Sequence, residues 1–232
     1  MLDGLPVDTP ADFGTAIIES MQPVVVFEDQ WIVIVEKPCG MLSVPGRSAQ
    51  LHDSVLTRLR SRYPDATGPL LVHRLDLDTS GLLLAAKDIA TYAALQRCFA
   101  QREIEKRYIA VLDGSIRDES GQIDLPLRVD VDDRPRQIHD PEYGKRAVTE
   151  WQVQRRDGER TRVILRPLTG RTHQLRVHAS HPAGLDAPIV GDRLYGRFAP
   201  EDGERLLLHA EGLRFVHPVT RNVVAVERLA PF

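Results

Sequence analysis

Short apolar runs, each cut off by glycine, proline or aspartate, constrain this chain more than any other feature of its sequence. Residues 23–36 cluster β-branched side chains around Trp31 and predict two short strands, turned at Glu28-Asp29-Gln30. Pro38, Gly40, Pro45 and Gly46 then force a loop. His52 to Tyr63 predicts a helix with Val55, Leu56 and Leu59 on one face, Asp53 or Ser54 as its cap and Pro64 at its end. Leu82 to Ala86 reads as a buried strand. Asp88 then caps a helix running to about Gln101, with Ile89, Tyr92, Leu95 and Phe99 facing inward. Arg107 to Leu112 is the next strand, and residues 113–147 are expected to be loop-rich. Val148 to Arg155 and Thr161 to Arg166 predict a hairpin around Asp157-Gly158. Thr172 to Ser180 predicts a helix, and the last strands fall near 206–209, 213–216 and 223–228. Strands outnumber helices and hairpins recur. The expected class is therefore α+β, with a mixed, largely antiparallel central sheet flanked by helices and long loops.

Composition narrows the setting. The 232 residues are 42% hydrophobic and 27% charged, ordinary for a globular protein. No stretch approaches the roughly 20 apolar residues a membrane-spanning helix needs, and no signal peptide is visible. Cys39 and Cys98 form no CxxC, so reduced thiols in a cytoplasmic protein are expected; no membrane partner and a monomer are expected as well. The net charge is −3, yet the first 36 residues carry seven acids and no Lys or Arg, which leaves +4 over residues 37–232. A local basic face, more than the total, governs binding to nucleic acid. Residues 1–22 are expected to be a weakly ordered acidic leader, and 23–232 one catalytic domain.

Chemistry concentrates in His73-Arg74-Leu75-Asp76, which precedes a polar turn and an apolar run. Asp76 thus lies at the edge of a core, where an unpaired carboxylate is costly and is either paired with a cation or used in a reaction. Arg74 is two residues away, and an Arg-rich segment, Gly170 to His178, lies far downstream. Asp78 shares a strand-like face with Asp76 and raises the alternative of a metal site or an acid/base pair. His173, His178 and His181 lack an HExxH spacing and any acid or thiol at a fixed distance, so no metal is expected.

HRLDLDTSGLLLAAK (73–87) resembles the catalytic motif of the RluA-type RNA pseudouridine synthases. The resemblance continues in IVIVEKPCGMLSVPGR (32–47), EKRYIAVLDG (105–114), LRPLTGRTHQLRVH (165–178) and LLLHAEGLRFVHP (206–218). The SVPGR ending is most similar to the short, single-domain branch, and too few residues precede the first motif for a separate RNA-binding domain. The resemblance implies the pseudouridine synthase fold, no cofactor, and conversion of uridine to pseudouridine in a tRNA anticodon stem-loop, a 23S rRNA hairpin, or both. It implies Asp76 as the catalytic carboxylate and Arg171 as the guanidinium that keeps it ionised. It further implies Tyr108 as a ring stacked on uracil whose hydroxyl serves as the late base. Arg74 would refill the stack left by the extruded base.

Arg47, His73, Arg128, Arg134, Arg136, Lys145, Arg146 and Arg176 are the further expected RNA contacts, with Asp130, Asp132, Asp133 and Asp140 diluting the stripe in the middle loop. Two other classes compete. One is a non-catalytic RNA-binding or ribosome-assembly factor with the same fold. The other is a sugar hydrolase using Asp76 and Asp78 as a carboxylate pair. A pure binder gains nothing from a carboxylate set beside RNA phosphates.

Overall fold

The computed structural model describes residues 22–46, 52–198 and 204–232. The expected leader, up to position 21, and Arg47 lie outside the described residues. Strands β1 (Val24–Glu28) and β2 (Ile32–Lys37) form the expected hairpin, closed by the Asp29 carboxylate, which accepts the N–H groups of Trp31 and Ile32 at 2.8 Å each. β2 pairs antiparallel with β3 (Ser80–Ala86), every residue of which is buried. Such a run is the mark of a strand covered on both faces.

β3 lies parallel to β10 (Leu208–Val216) through Ser80 opposite His209 and Gly81 opposite Ala210. Gly81 has φ +114°, and a Cβ there would sit 2.3 Å from the Ala210 carbonyl oxygen. Only glycine lets these two backbones approach so closely. From β10 the sheet continues antiparallel through β4 (Glu105–Asp113), β9 (Arg160–Pro167), β8 (Val148–Asp157) and β5 (Ser120–Asp124). β11 (Val223–Glu227) pairs with the far half of β10. Among the described residues nine strands thus form one sheet, ordered β1-β2-β3-β10-β4-β9-β8-β5 with β11 on β10, and its one parallel contact is β3–β10.

Among the described residues three helices pack on this sheet. α1 (Val55–Arg62) starts at a reciprocal capping box between Ser54 and Thr57. α2 (Ile89–Gln101) starts at Asp88, whose carboxylate accepts from Thr91 N at 2.8 Å. α3 (Gln174–Ser180) follows His173, which adopts φ 52° and leaves the helix without a side-chain cap. Alternation along β2 and β3 sends Ile32, Ile34, Leu82 and Leu84 to α2, and Val33, Val35, Leu83 and Ala85 to the face shared with α1. A third cluster packs Leu175 and Ala179 of α3 on Ala110, Leu112, Val163 and Leu165.

The sequence reading needs four corrections here. Ile89 is exposed, because the first residue of α2 overhangs the sheet. The two strands expected at 206–209 and 213–216 are one, β10. It carries Glu211 through a register shift with its carboxylate buried against Arg107. Residues 113–147 are more ordered than expected. They contain β5 and a separate hairpin of β6 (Leu127–Val129) and β7 (Gln137–His139), because Ile123, Leu125 and Leu127 bury themselves against the core. Finally, α3 begins two residues later than predicted, since Thr172 and His173 turn into it.

Candidate active site

The loop between the buried Leu71-Val72 pair and β3 carries Asp76, and the segment after β2 shapes that loop. The Ser43 hydroxyl donates to Leu75 O at 2.7 Å and accepts from Leu75 N at 3.0 Å. Lys37 is fully buried, and its ammonium donates to the carbonyls of Pro38 (3.0 Å), Met41 (2.7 Å) and Leu77 (2.8 Å). Burial pulls its pKa down to about 8, against the pull of the Cys39 thiol and the nearby carboxylates of Asp78 and Asp76. Gly40 N also donates to Leu77 O, and the Cys39 thiol to Asp78 O. Thr79 N closes the turn onto Asp76 O at 3.2 Å. Through these bonds β2 and the segment after it anchor the chain on either side of Asp76, at Leu75, Leu77 and Asp78.

Asp76 is half-buried and lines a cavity of about 100 Å³ together with Tyr108, Thr79, Arg171, His173 and Arg176. Burial, and secondarily the Asp76 charge, raise the Tyr108 pKa far above that of a free phenol, so its hydroxyl stays protonated. The Thr79 hydroxyl is buried and has no hydrogen-bond partner. The cavity opens into a cleft of about 1060 Å³ bounded by α2, β4 and β10, which Arg74, Lys106, Tyr108 and Arg171 share with it.

The expected partnership of Asp76 with Arg171 is not formed. No ion pair joins Asp76 to any described cation. Arg171 is exposed at the rim, with Nε donating to Arg146 O at 3.1 Å. The guanidinium that faces the cavity from within is Arg176. It is 3% exposed and bidentate to the fully buried Asp192, at 2.8 and 2.6 Å. Burial opposes its charge, but the Asp192 carboxylate and, across the cavity, Asp76 keep it protonated. The reason is helical geometry. Arg171 precedes α3, whereas Arg176 lies on its inward face. Arg176, expected as an RNA contact, is thus held by Asp192 in the cavity wall.

His73 is also displaced from its expected role. Its ring packs on Phe99 at 5.0 Å and its Nε2 accepts from Leu84 N, while burial, and then the Lys106 charge, lower its pKa to about 3. It is a neutral brace and offers RNA no charge. Arg136 pairs with Asp133 and Arg146 with Asp124, both at 2.9 Å, and Arg128 with Asp140. Arg134 and Lys145 are exposed and unpaired, so of the five expected middle-loop contacts these two remain open to a partner.

Sequence reasoning missed two groups. Tyr195 accepts from Gln137 N at 2.7 Å, meets His173 Nδ1 at 2.8 Å and lies under Arg176, so it ties the β6–β7 hairpin to the cavity wall. Lys106, Arg102 and Arg166 line the cleft without a carboxylate partner. Nothing in local spacing marks them, because strand and helix-end cations look alike wherever the sheet carries them. Among the described residues no cluster of His, Cys, Asp or Glu suits a metal ion, and no helix is long and apolar enough to cross a membrane.

Several known proteins are similar to this chain. Residues 31–181 match the family described as RNA pseudouridylate synthase. The chain is 44% identical over 213 residues to the dual-specificity RNA pseudouridine synthase RluA of Escherichia coli O6:H1, covering 90% of this chain and 94% of that one. It is 46% identical over 200 residues to the protein of the same name from Vibrio parahaemolyticus, covering 84% and 78%. The solved structure of human RNA pseudouridylate synthase domain containing 1 is similar with a TM-score of 0.73 and 31% identity, over 91% of this chain and 85% of that one.

Proposed function

We propose, from the premise that this chain belongs to the RNA pseudouridylate synthase family, that Asp76 acts on a uridine drawn into the 100 Å³ cavity. The protein is an RNA pseudouridine synthase: it detaches uracil from its ribose, turns it and rejoins it through C5. Attack at C1′ of the ribose, addition to C6 of the uracil and removal of a sugar proton in a glycal route all use a carboxylate at this point. The target must first leave its stack, at a cost of a few kcal/mol. Arg74, exposed at the rim, is placed to fill the gap.

Arg176, locked by Asp192, presents a fixed guanidinium to the cavity that Asp76 also lines. Tyr108 contributes a ring beside the uracil and a hydroxyl that donates. Its raised pKa argues for that role over one as the resting base. Arg171 at the rim is a substrate contact. The named activity of the relatives, dual-specificity RNA pseudouridine synthase, supports a stem-loop of tRNA, a hairpin of large-subunit rRNA, or both, as the target. A monomeric, cytoplasmic enzyme without cofactor fits the two free thiols, Cys39 and Cys98.

The observation that carries this reading is the meeting of Asp76, Tyr108 and Arg176 around one cavity. Wild-type protein should form pseudouridine in RNA from cells lacking it, and Asp76→Asn should form none while still binding. Product from Asp76→Asn at the wild-type rate would refute the assignment.

A further inference from the structure

The cations buried at this site are matched, with one exception. Lys37 has three carbonyls, Arg176 has Asp192, and Arg107 has Glu211 and Glu227. Lys106 is half-buried and has neither an ion-pair nor a hydrogen-bond partner. It lies on β4 two residues before Tyr108, so strand alternation puts both on one face. It lines both the catalytic cavity and the open cleft and so stands at their junction. Its neighbour His73 is neutral and gives no counter-charge.

A desolvated ammonium left alone costs stability, and an arriving anion removes that cost. Burial indeed lowers the Lys106 pKa to about 8. Uracil is neutral and cannot supply the missing charge. The phosphate next to an extruded nucleotide can, because it follows the nucleotide when the backbone rotates and stops at the mouth of the cavity. We propose that Lys106 receives the phosphodiester flanking the extruded uridine, and so holds the flipped nucleotide at the junction of cleft and cavity. The inference rests on the reading of the cavity as a uridine site. Lys106 is a positioning residue here, and it makes no contact with the reacting bond.

The test uses a stem-loop RNA that the wild-type protein converts, in two versions: native, and with neutral methylphosphonate at both linkages flanking the target uridine. Binding is measured in the Asp76→Asn background, with and without Lys106→Met. On native RNA, Lys106→Met should weaken binding about tenfold and lower the salt slope of log K by about 0.7–0.9, the share of one phosphate contact. On the neutral-linkage RNA the two proteins should bind equally. The unfolding temperature should hold or rise, since the substitution removes an unpaired, partly desolvated charge. Equal affinity of both proteins for native RNA overturns the inference. So does an equal loss on both RNAs, which would mark a base or ribose contact, or a fall in unfolding temperature with loss on both. Product from the wild type without a Lys106 effect sinks this inference alone; no product from any RNA sinks the uridine reading and this with it.

Discussion

Asp76 and Asp78 share one loop, yet only Asp76 lines the cavity. Asp78 serves the loop through its backbone, whose carbonyl accepts from Cys39. Asp76→Asn should therefore lower turnover by about 10³-fold or more, whereas Asp78→Asn should stay within a few-fold, measured by single-turnover pseudouridine formation. The two arginines divide in the same manner. Arg176→Met leaves the buried Asp192 uncompensated and should cost about 3–5 kcal/mol of stability, read by urea unfolding. Arg171→Met should change stability by only about 0.5 kcal/mol or less, and should raise KM with a weaker salt dependence. Local sequence could single out Asp76 as a candidate, because a carboxylate at the brink of an apolar run is conspicuous, and the family resemblance weighted it toward chemistry. It could not rank two arginines five positions apart, because their difference is which way a helix faces.

The elements around the site depend on a few backbone constraints. Gly81 is where β3 meets β10, with φ +114° and no room for a methyl group. Gly81→Ala should destabilise the protein by roughly 2–4 kcal/mol through combined strain and clash, and should misplace the Asp76 loop. A circular-dichroism melt together with an RNA-modification assay would check this, and unchanged stability would mean the strands can slide apart. The β1–β2 hairpin, β3, α1 and α2 were legible because their apolar periodicity and caps are local. The β5–β7 region was not. Its strands are short, with β5 mostly exposed, and they order themselves by pairing β5 with β8 and β6 with β7 and by burying Ile123, Leu125 and Leu127.

Across the whole molecule, burial makes acid the weak side of stability. His73 and His178 are held neutral in the fold, with pKa values lowered to about 3 and about 4, chiefly by burial. Unfolded, each imidazole titrates near its usual value of about 6.5. As pH falls below that value the unfolded chain takes up protons that the fold refuses, so stability drops until the folded pKa is reached. Stability should fall from about pH 6.5 to about pH 4, by up to roughly 2–3 kcal/mol per pH unit for the two groups together. His73→Gln, which keeps an acceptor for Leu84 N–H, should flatten the curve in denaturant titrations at stepped pH. A wild-type curve flat over that window would contradict the burial argument. Sequence alone determined the α+β class, the order of most strands and helices and the family's motifs, because these are written in periodicities and neighbours within a few residues. Tertiary structure alone decided which guanidinium faces Asp76, that His73 is a brace, and that Lys106 stands unpaired between cleft and cavity. Those facts depend on burial and on distances between segments far apart in the chain, which arise only when the sheet closes around them.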